Sequence, residues 1–179
     1  CAPCCRYQPT DQSQAKTIEQ YLESAELAQT KSQLLAGHAP QQCQRCVDEE
    51  KENGHSFRLL HNKFHSDSTQ DVLSRTQNNQ KKPTSLEIIT SNTCNLLCLP
   101  CVSGSSYIRS VELKKIEIKS TPAIHLKKNP VLDQIHRFDF EDITFLGGEP
   151  FGDKVTFECL EQLVAHNKSK NITLEIGRA

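Results

Sequence analysis

The sequence predicts an α/β fold: a parallel sheet whose strands are joined by crossover helices, standing behind a small cysteine-rich domain. Three observations predict it. From Ser85 onward, strand-like and helix-like apolar runs follow in the order strand, helix, strand, helix, strand, which is how βα units build one parallel sheet. Each unit takes roughly 30 or more residues, so the stretch 84–179 holds about three. Ahead of it, cysteines crowd into residues 1–65, and the polar stretch 66–83 reads as a linker.

Composition narrows the class. A length of 179 residues with 36% hydrophobic side chains suffices for a modest core. A net charge of −1 gives no electrostatic footprint for nucleic acid. No apolar run approaches the ~20 residues of a membrane helix, and no signal-peptide pattern opens the chain, so a soluble cytoplasmic protein without membrane or nucleic-acid partners is expected. The cysteines, nine in all, sit in tight clusters, which argues for metal in a reducing compartment rather than for disulfides. The chain opens at Cys1 and contains no methionine, and it is read as a fragment or a processed piece.

In the front part, Thr17 to Ala36 reads as helix, with Thr17 and Gln20 as a capping box and Gly37 as the residue that ends it. Ser24 can divide it into two helices. Ile18, Tyr21, Leu22, Ala25, Leu34 and Leu35 are its expected inner face. Cys43-x2-Cys46 then falls on a turn flanked by Gly and Pro, where two thiolates can point at one metal and need partners from elsewhere. Cys1, Cys4 and Cys5 are the candidates. A rival is a Cys2His2 zinc site closed by His61-x3-His65, although Val47-Asp-Glu-Glu is acidic where a DNA-reading finger is basic; the two histidines equally suit an unligated helix.

In the core part, Ser85 to Asn92 reads as a buried strand delivering Cys94-x3-Cys98-x2-Cys101 at its C-terminal end, where βα-loops carry chemistry. Thiolates are soft ligands suited to iron–sulfur clusters and zinc. A 4Fe-4S cluster normally takes four, so three local thiols imply a distant fourth or an open iron. Between Ser103 and Pro130 the pattern fits helix or exposed strand, and the lysines of 114–128 suit a solvated face. Pro130 to Phe138 fits a short helix with Pro in its first turn. Asp142 to Leu146 is the next strand, ending in Gly147-Gly148-Glu149-Pro150. Its glycines let backbone approach a ligand closely, and Glu149 offers an anion for a cationic amine. Val155 to Asn167 is a helix with Phe157, Leu160, Leu163 and Val164 inward and Cys159 as a small core residue, and Ile172 to Ile176 is the third strand.

Thr90-Ser-Asn-Thr-Cys94-Asn-Leu-Leu-Cys98-Leu-Pro-Cys101, followed by Phe145-Leu-Gly-Gly-Glu-Pro-Phe151, resembles the opening of a radical S-adenosylmethionine (SAM) enzyme. The resemblance implies a partial (β/α)6 barrel, of which about three βα units are present. It also implies a 4Fe-4S cluster on Cys94, Cys98 and Cys101, with SAM chelating the fourth iron through its amino and carboxylate groups. The loop of Gly147, Gly148, Glu149 and Pro150 would hold the SAM amine. Implied too are reductive SAM cleavage, hydrogen abstraction from a peptide or small polar metabolite, and an electron donor such as flavodoxin or ferredoxin. Pro100 stands where the superfamily carries an aromatic or bulky residue, and Glu175-Ile176-Gly177 where it often has Thr-Asn-Gly.

The front pattern is similar to the N-terminal twitch domain of one branch of that superfamily. It runs from Pro3-Cys4-Cys5 through a helix to Gly37-x2-Pro40-x2-Cys43-x2-Cys46, acidic residues and Gly54-x-Ser56-x-Arg58. The similarity implies an auxiliary 4Fe-4S cluster on Cys4, Cys43 and Cys46, with a fourth ligand from Cys1, Cys5 or further upstream. The alternative of a different class is a non-catalytic zinc or iron–sulfur binding module.

Overall fold

The computed structural model describes residues 4, 6–7, 17–64, 74, 83–118, 132 and 134–177. They belong to two compact units, Cys1–Lys81 and Lys82–Ala179. Cys1, Cys5 and His65, most of the polar stretch 66–83 and most of the segment 119–133 lie outside the described residues.

The first unit is helical. Thr17 caps α1 (Ile18–Leu22) by accepting from the Gln20 N–H, and Ser24 caps α2 (Ala25–Leu35) by accepting from the Leu27 N–H. One expected helix is therefore two, divided at Ser24, and the chain leaves α2 through Gly37 at φ +79°. The buried face is Ile18, Tyr21, Leu27 and Thr30. Of the face expected from apolarity, Ala25, Leu34 and Leu35 are exposed instead. The break at Ser24 resets the helical phase, so spacing counted from Ile18 no longer applies beyond it. Next come α3 (Gln44–Asn53) and α4 (Phe57–Phe64), with Gly54 between them at φ +68°.

The second unit is mixed α/β. Its three strands, β1 (Ser85–Ile89), β2 (Asp142–Leu146) and β3 (Thr173–Ile176), form a parallel sheet in the order β1-β2-β3. Helix α5 (Tyr107–Lys115) follows β1, capped by Ser106, so the described part of the stretch left open between helix and strand is helical up to Lys115. Helix α6 (Lys154–Ala165) joins β2 to β3, capped by Asp153. Before β2 the described chain holds a 3-10 turn, Ile135–Arg137, with Leu132 and Ile135 buried.

Register pairs Ile88 with Phe145 and Leu86 with Ile143, so one sheet face carries the core. Against it α6 buries Thr156, Cys159 and Leu163. Phe157 and Val164, expected inward for their apolarity, are exposed, while Cys159 is the small core residue its sequence context suggested. Small residues let the helix lie close: Thr156 Oγ1 comes within 3.4 Å of Thr90 Oγ1. The other face presents Glu87, Thr144 and Glu175 in register. Among the described residues no helix is long and apolar enough to cross a membrane.

Candidate metal centres

The front thiols are assembled from distant parts of the first unit. Pro40, buried, leads into a 3-10 turn Gln41–Cys43, whose Cys43 N–H donates to the Pro40 carbonyl at 2.9 Å. Cys43 then stands at the N-cap of α3 and Cys46 in its first turn. The pair thus straddles a helix start rather than lying wholly on a turn. Positions three apart share one helix face, so both thiols are presented to the same side. Cys43 is half-buried and Cys46 buried.

Cys4 is brought in by the two described residues that follow it. The Tyr7 N–H donates to the Cys4 carbonyl at 3.2 Å, closing a turn. The Tyr7 hydroxyl reaches α2, donating to Glu26 at 3.0 Å and sharing a hydrogen bond of 3.0 Å with Thr30. Arg6 lies over the Phe57 ring at 5.6 Å and pairs with Glu49 at 3.5 Å. The thiols sense one another. The Cys43 thiol is pushed up by burial first and then by Cys4 and Cys46, while Arg58 pulls it the other way. Burial raises the Tyr7 and Tyr21 hydroxyls too, with Cys4 adding to Tyr21 and Cys43 to Tyr7.

The Gly54-x-Ser56-x-Arg58 motif acquires a structural role here. Gly54 takes the left-handed conformation that ends α3. Ser56 Oγ accepts from the Leu59 N–H at 3.1 Å, capping α4, and donates to Glu50. Arg58 grips the same carboxylate with two nitrogens, Nε to Oε1 at 3.0 Å and Nη2 to Oε2. Those bonds, Arg58's first, hold the Glu50 carboxyl below the usual carboxylate range. His61, the other described member of the zinc rival, is exposed on α4 with its ring 4.4 Å from that of Phe57.

The central thiols are held differently. Beyond β1, Thr90, Ser91 and Asn92 are buried, and the chain then emerges into an open loop with Cys94 and Cys101 half-buried and Cys98 exposed. Leu99 is 84% exposed. Backbone fixes the root of the loop: Gly148 N–H donates to Ser91 at 3.0 Å, Glu149 N–H to Thr93 at 2.9 Å, and Tyr107 N–H to Asn92 at 2.7 Å. The loop that follows β2 therefore lies directly against the segment leading to the cysteines.

This explains the two glycines. A Cβ on Gly147 would sit 2.2 Å from the Ser91 carbonyl oxygen, and one on Gly148 would sit 2.2 Å from that of Thr93. Gly147 also has φ +136°. The close approach expected toward a ligand is, in the fold, an approach of backbone to backbone. Glu149 is half-buried, and its Oε1 accepts from the Phe151 N–H at 3.4 Å, capping the 3-10 turn Pro150–Gly152.

Among the described residues, no three His, Cys, Asp or Glu side chains are gathered tightly enough to grip a metal ion as they stand. The donor chemistry nevertheless fits an iron–sulfur group at both places, since the thiols there are free and thiolates are soft ligands. At the centre, the Leu96 N–H already donates to Cys94 Sγ at 3.4 Å, the kind of bond that tunes a cluster sulfur.

Arg6 and Tyr7 escaped the sequence reading, because their partners lie 43 and 19 residues away and only the fold unites them. Comparison with protein-family profiles, with curated proteins and with solved structures finds no match to this chain.

Proposed function

We propose that the chain is part of a radical SAM enzyme of the twitch-bearing kind, its second unit being the first three βα units of a partial barrel. One observation carries most of the weight. The three-thiol loop leaves β1, and the Gly147-Gly148-Glu149 loop leaves the adjacent parallel strand β2 at the same end of the sheet, joined to it by the Ser91 and Thr93 hydrogen bonds. The C-terminal end of a parallel sheet is where such folds bind ligands.

In this reading Cys94, Cys98 and Cys101 would hold a 4Fe-4S cluster to which SAM would bind. When bound, the pair supplies reductive cleavage of SAM and the radical that starts hydrogen abstraction. The protein's own share is binding and exclusion of water. Glu149 attracts the SAM amine, while the exposed Leu97, Leu99 and Val102 around the thiols give an apolar collar against solvent. Cys4, Cys43 and Cys46 hold an auxiliary cluster. A flavodoxin or ferredoxin delivers the electron, and the substrate is a peptide or small polar metabolite.

The test is anaerobic reconstitution with iron and sulfide, followed by SAM titration watched through the electron paramagnetic resonance of the reduced cluster. Wild type should respond to SAM and form 5′-deoxyadenosine. Glu149→Gln should keep its cluster and bind SAM roughly ten- to a hundred-fold more weakly, the worth of one charge-assisted contact of about 1.5–3 kcal/mol. Colourless protein with stoichiometric zinc would instead make the chain a non-catalytic binding module.

A further inference from the structure

Tyr7 closely follows the exposed Cys4 and is itself only 5% exposed. Its hydroxyl donates to Glu26 at 3.0 Å and shares a 3.0 Å hydrogen bond with Thr30, so it is seated on two successive turns of α2. Its backbone N–H donates to the Cys4 carbonyl at 3.2 Å, and among the described residues that is the hydrogen bond that holds Cys4. The seat is specific as well as buried. Thr30 is a polar side chain, 4% exposed, on the inner face of α2 where an apolar residue would bury as well, and the Tyr7 hydroxyl is the partner it finds there. We propose that Tyr7 is a positioning residue for the front metal centre, holding on α2 the turn that presents Cys4 as third thiolate to a metal taken by Cys43 and Cys46. The inference rests on the reading that those three thiols share a metal.

Cys43 and Cys46 need no such help. They stand three apart at the start of α3, and the helix itself turns both to one side. Cys4 comes from a turn ahead of the first helix, and a metal that had to fix its backbone unaided would bind more weakly by the conformational freedom lost. The Tyr7 seat removes part of that freedom beforehand. A purely apolar anchor would bury the ring yet let it slide along α2, whereas hydrogen bonds to Glu26 and Thr30 set its height on the helix and so the height of the turn. Arg6, between Cys4 and Tyr7, reaches other helices: it pairs with Glu49 of α3 at 3.5 Å and lies over Phe57 of α4. The turn is thereby tied both to α2 and to the helix that carries Cys46. Outer partners of metal ligands act in this manner, orienting the ligand without touching the metal.

The experiment uses the full chain carrying Cys94→Ala, Cys98→Ala and Cys101→Ala, titrated anaerobically with cobalt(II), whose sulfur-to-metal charge-transfer absorbance grows with each thiolate bound. The parent should show three thiolates per cobalt. Tyr7→Phe should bind cobalt about ten- to a hundred-fold more weakly, with its absorbance reduced from that of three thiolates to that of two. Added to Cys4→Ala, the same substitution should change neither reading, because the ligand it positions is gone. A role confined to supporting the fold would weaken both backgrounds alike. Thr30→Val removes one hydrogen-bond partner and keeps the tyrosine, and should show the same fall, smaller, even where Tyr7→Phe fails to fold. Tyr21→Phe, on α1 and 8% exposed, should leave the three-thiolate absorbance intact. A three-thiolate spectrum unchanged in Tyr7→Phe, or in Thr30→Val should Tyr7→Phe not fold, overturns the proposal. So does equal weakening with and without Cys4, or the same fall in Tyr21→Phe. If the parent gives no thiolate absorbance, or Cys4→Ala leaves its spectrum as it was, the shared-metal reading itself fails, and that is seen before any tyrosine is changed.

Discussion

The chain presents three thiols twice, and the two sets are built on opposite plans. At the front, Cys4, Cys43 and Cys46 come from two segments, exposed, half-buried and buried in turn, and the segments are tied by side chains: Tyr7 to α2, Arg6 to α3 and Phe57, Arg58 to Glu50. In the core, Cys94, Cys98 and Cys101 come from one loop, with Cys98 exposed and Cys94 and Cys101 half-buried, and rely on backbone hydrogen bonds at the loop's root. The same residue type is thus held by side-chain contacts in one unit and by backbone hydrogen bonds in the other.

The largest effect expected from breaking this contrast is at Gly148. Its Cβ would meet the Thr93 carbonyl oxygen at 2.2 Å and carbon at 2.6 Å, both backbone atoms that cannot swing aside. Gly148→Val should therefore cost about 4 kcal/mol or more, with loss of the Glu149–Thr93 bond, and should unfold the second unit while sparing the first. Hydrogen exchange resolved along the chain measures both units at once. Retained protection of 85–93 and 142–150 would mean the loops are not stitched as described.

The positions of the strands and the first helix boundaries were legible in the sequence because their signals are local, although β1, expected buried over 85–92, is Ser85–Ile89 with only Ile88 buried. Thr17, Ser24 and Gly37 each act on hydrogen bonds within a few residues, whereas α3 and its end at Gly54 were not read from the turn expected at Cys43 and Cys46. Ile143 and Phe145 alternate with half-buried neighbours as a half-covered strand should. Facing was less legible. Phe157 and Val164 were assigned to the core by apolarity, yet the close seat of α6 on Thr90 requires Thr156 and Cys159 there. Of the candidate site, the spacing of Cys94, Cys98 and Cys101 and their place after β1 were legible because both are local. That Gly147 and Gly148 face the backbone of 91–93 could not be read, since it depends on strand adjacency. Arg6 and Tyr7 depend on contacts across the first unit in the same way.

A smaller effect separates the thiols themselves in metal-free protein. Cys46 is buried and Cys98 exposed, so Cys46→Ala should cost about 1 kcal/mol and Cys98→Ala less than about 0.5 kcal/mol. Denaturant melts of the full chain measure this. With metal bound, Cys46→Ala should also loosen the first unit to proteolysis, because metal binding and folding are coupled. Equal losses for the two variants would remove the distinction between enclosed and open sets.

The smallest effect expected is a difference in response to acid. In the second unit, the His136 ring stacks on His166 at 3.7 Å, and burial first, then His166, Arg137 and Lys168, lowers its basicity. The unfolded chain takes up that proton more readily, so the stability this ring contributes is full above an ordinary histidine value of about 6.5 and is lost as pH falls through it. In the first unit, Glu50 is held low by Arg58 and Ser56, so its contribution persists until pH falls below about 4.3, the ordinary value for Glu, and is lost toward the folded value. Hydrogen exchange between pH 7 and 4 should therefore show the second unit softening first, and His136→Asn should remove that early limb. Simultaneous softening of both units would contradict the assignment.

The central claim of the proposal is that SAM is cleaved at the loop of Cys94, Cys98 and Cys101 and not at the front set. Its most direct measurement is SAM cleavage and iron content, made side by side on reconstituted wild type and on the Cys94→Ala, Cys98→Ala, Cys101→Ala variant, in this chain and in any longer chain that contains it. The variant should lose one cluster, about four iron atoms, and all 5′-deoxyadenosine formation, while the front set keeps its iron. SAM cleavage at the wild-type rate in that variant would contradict the account.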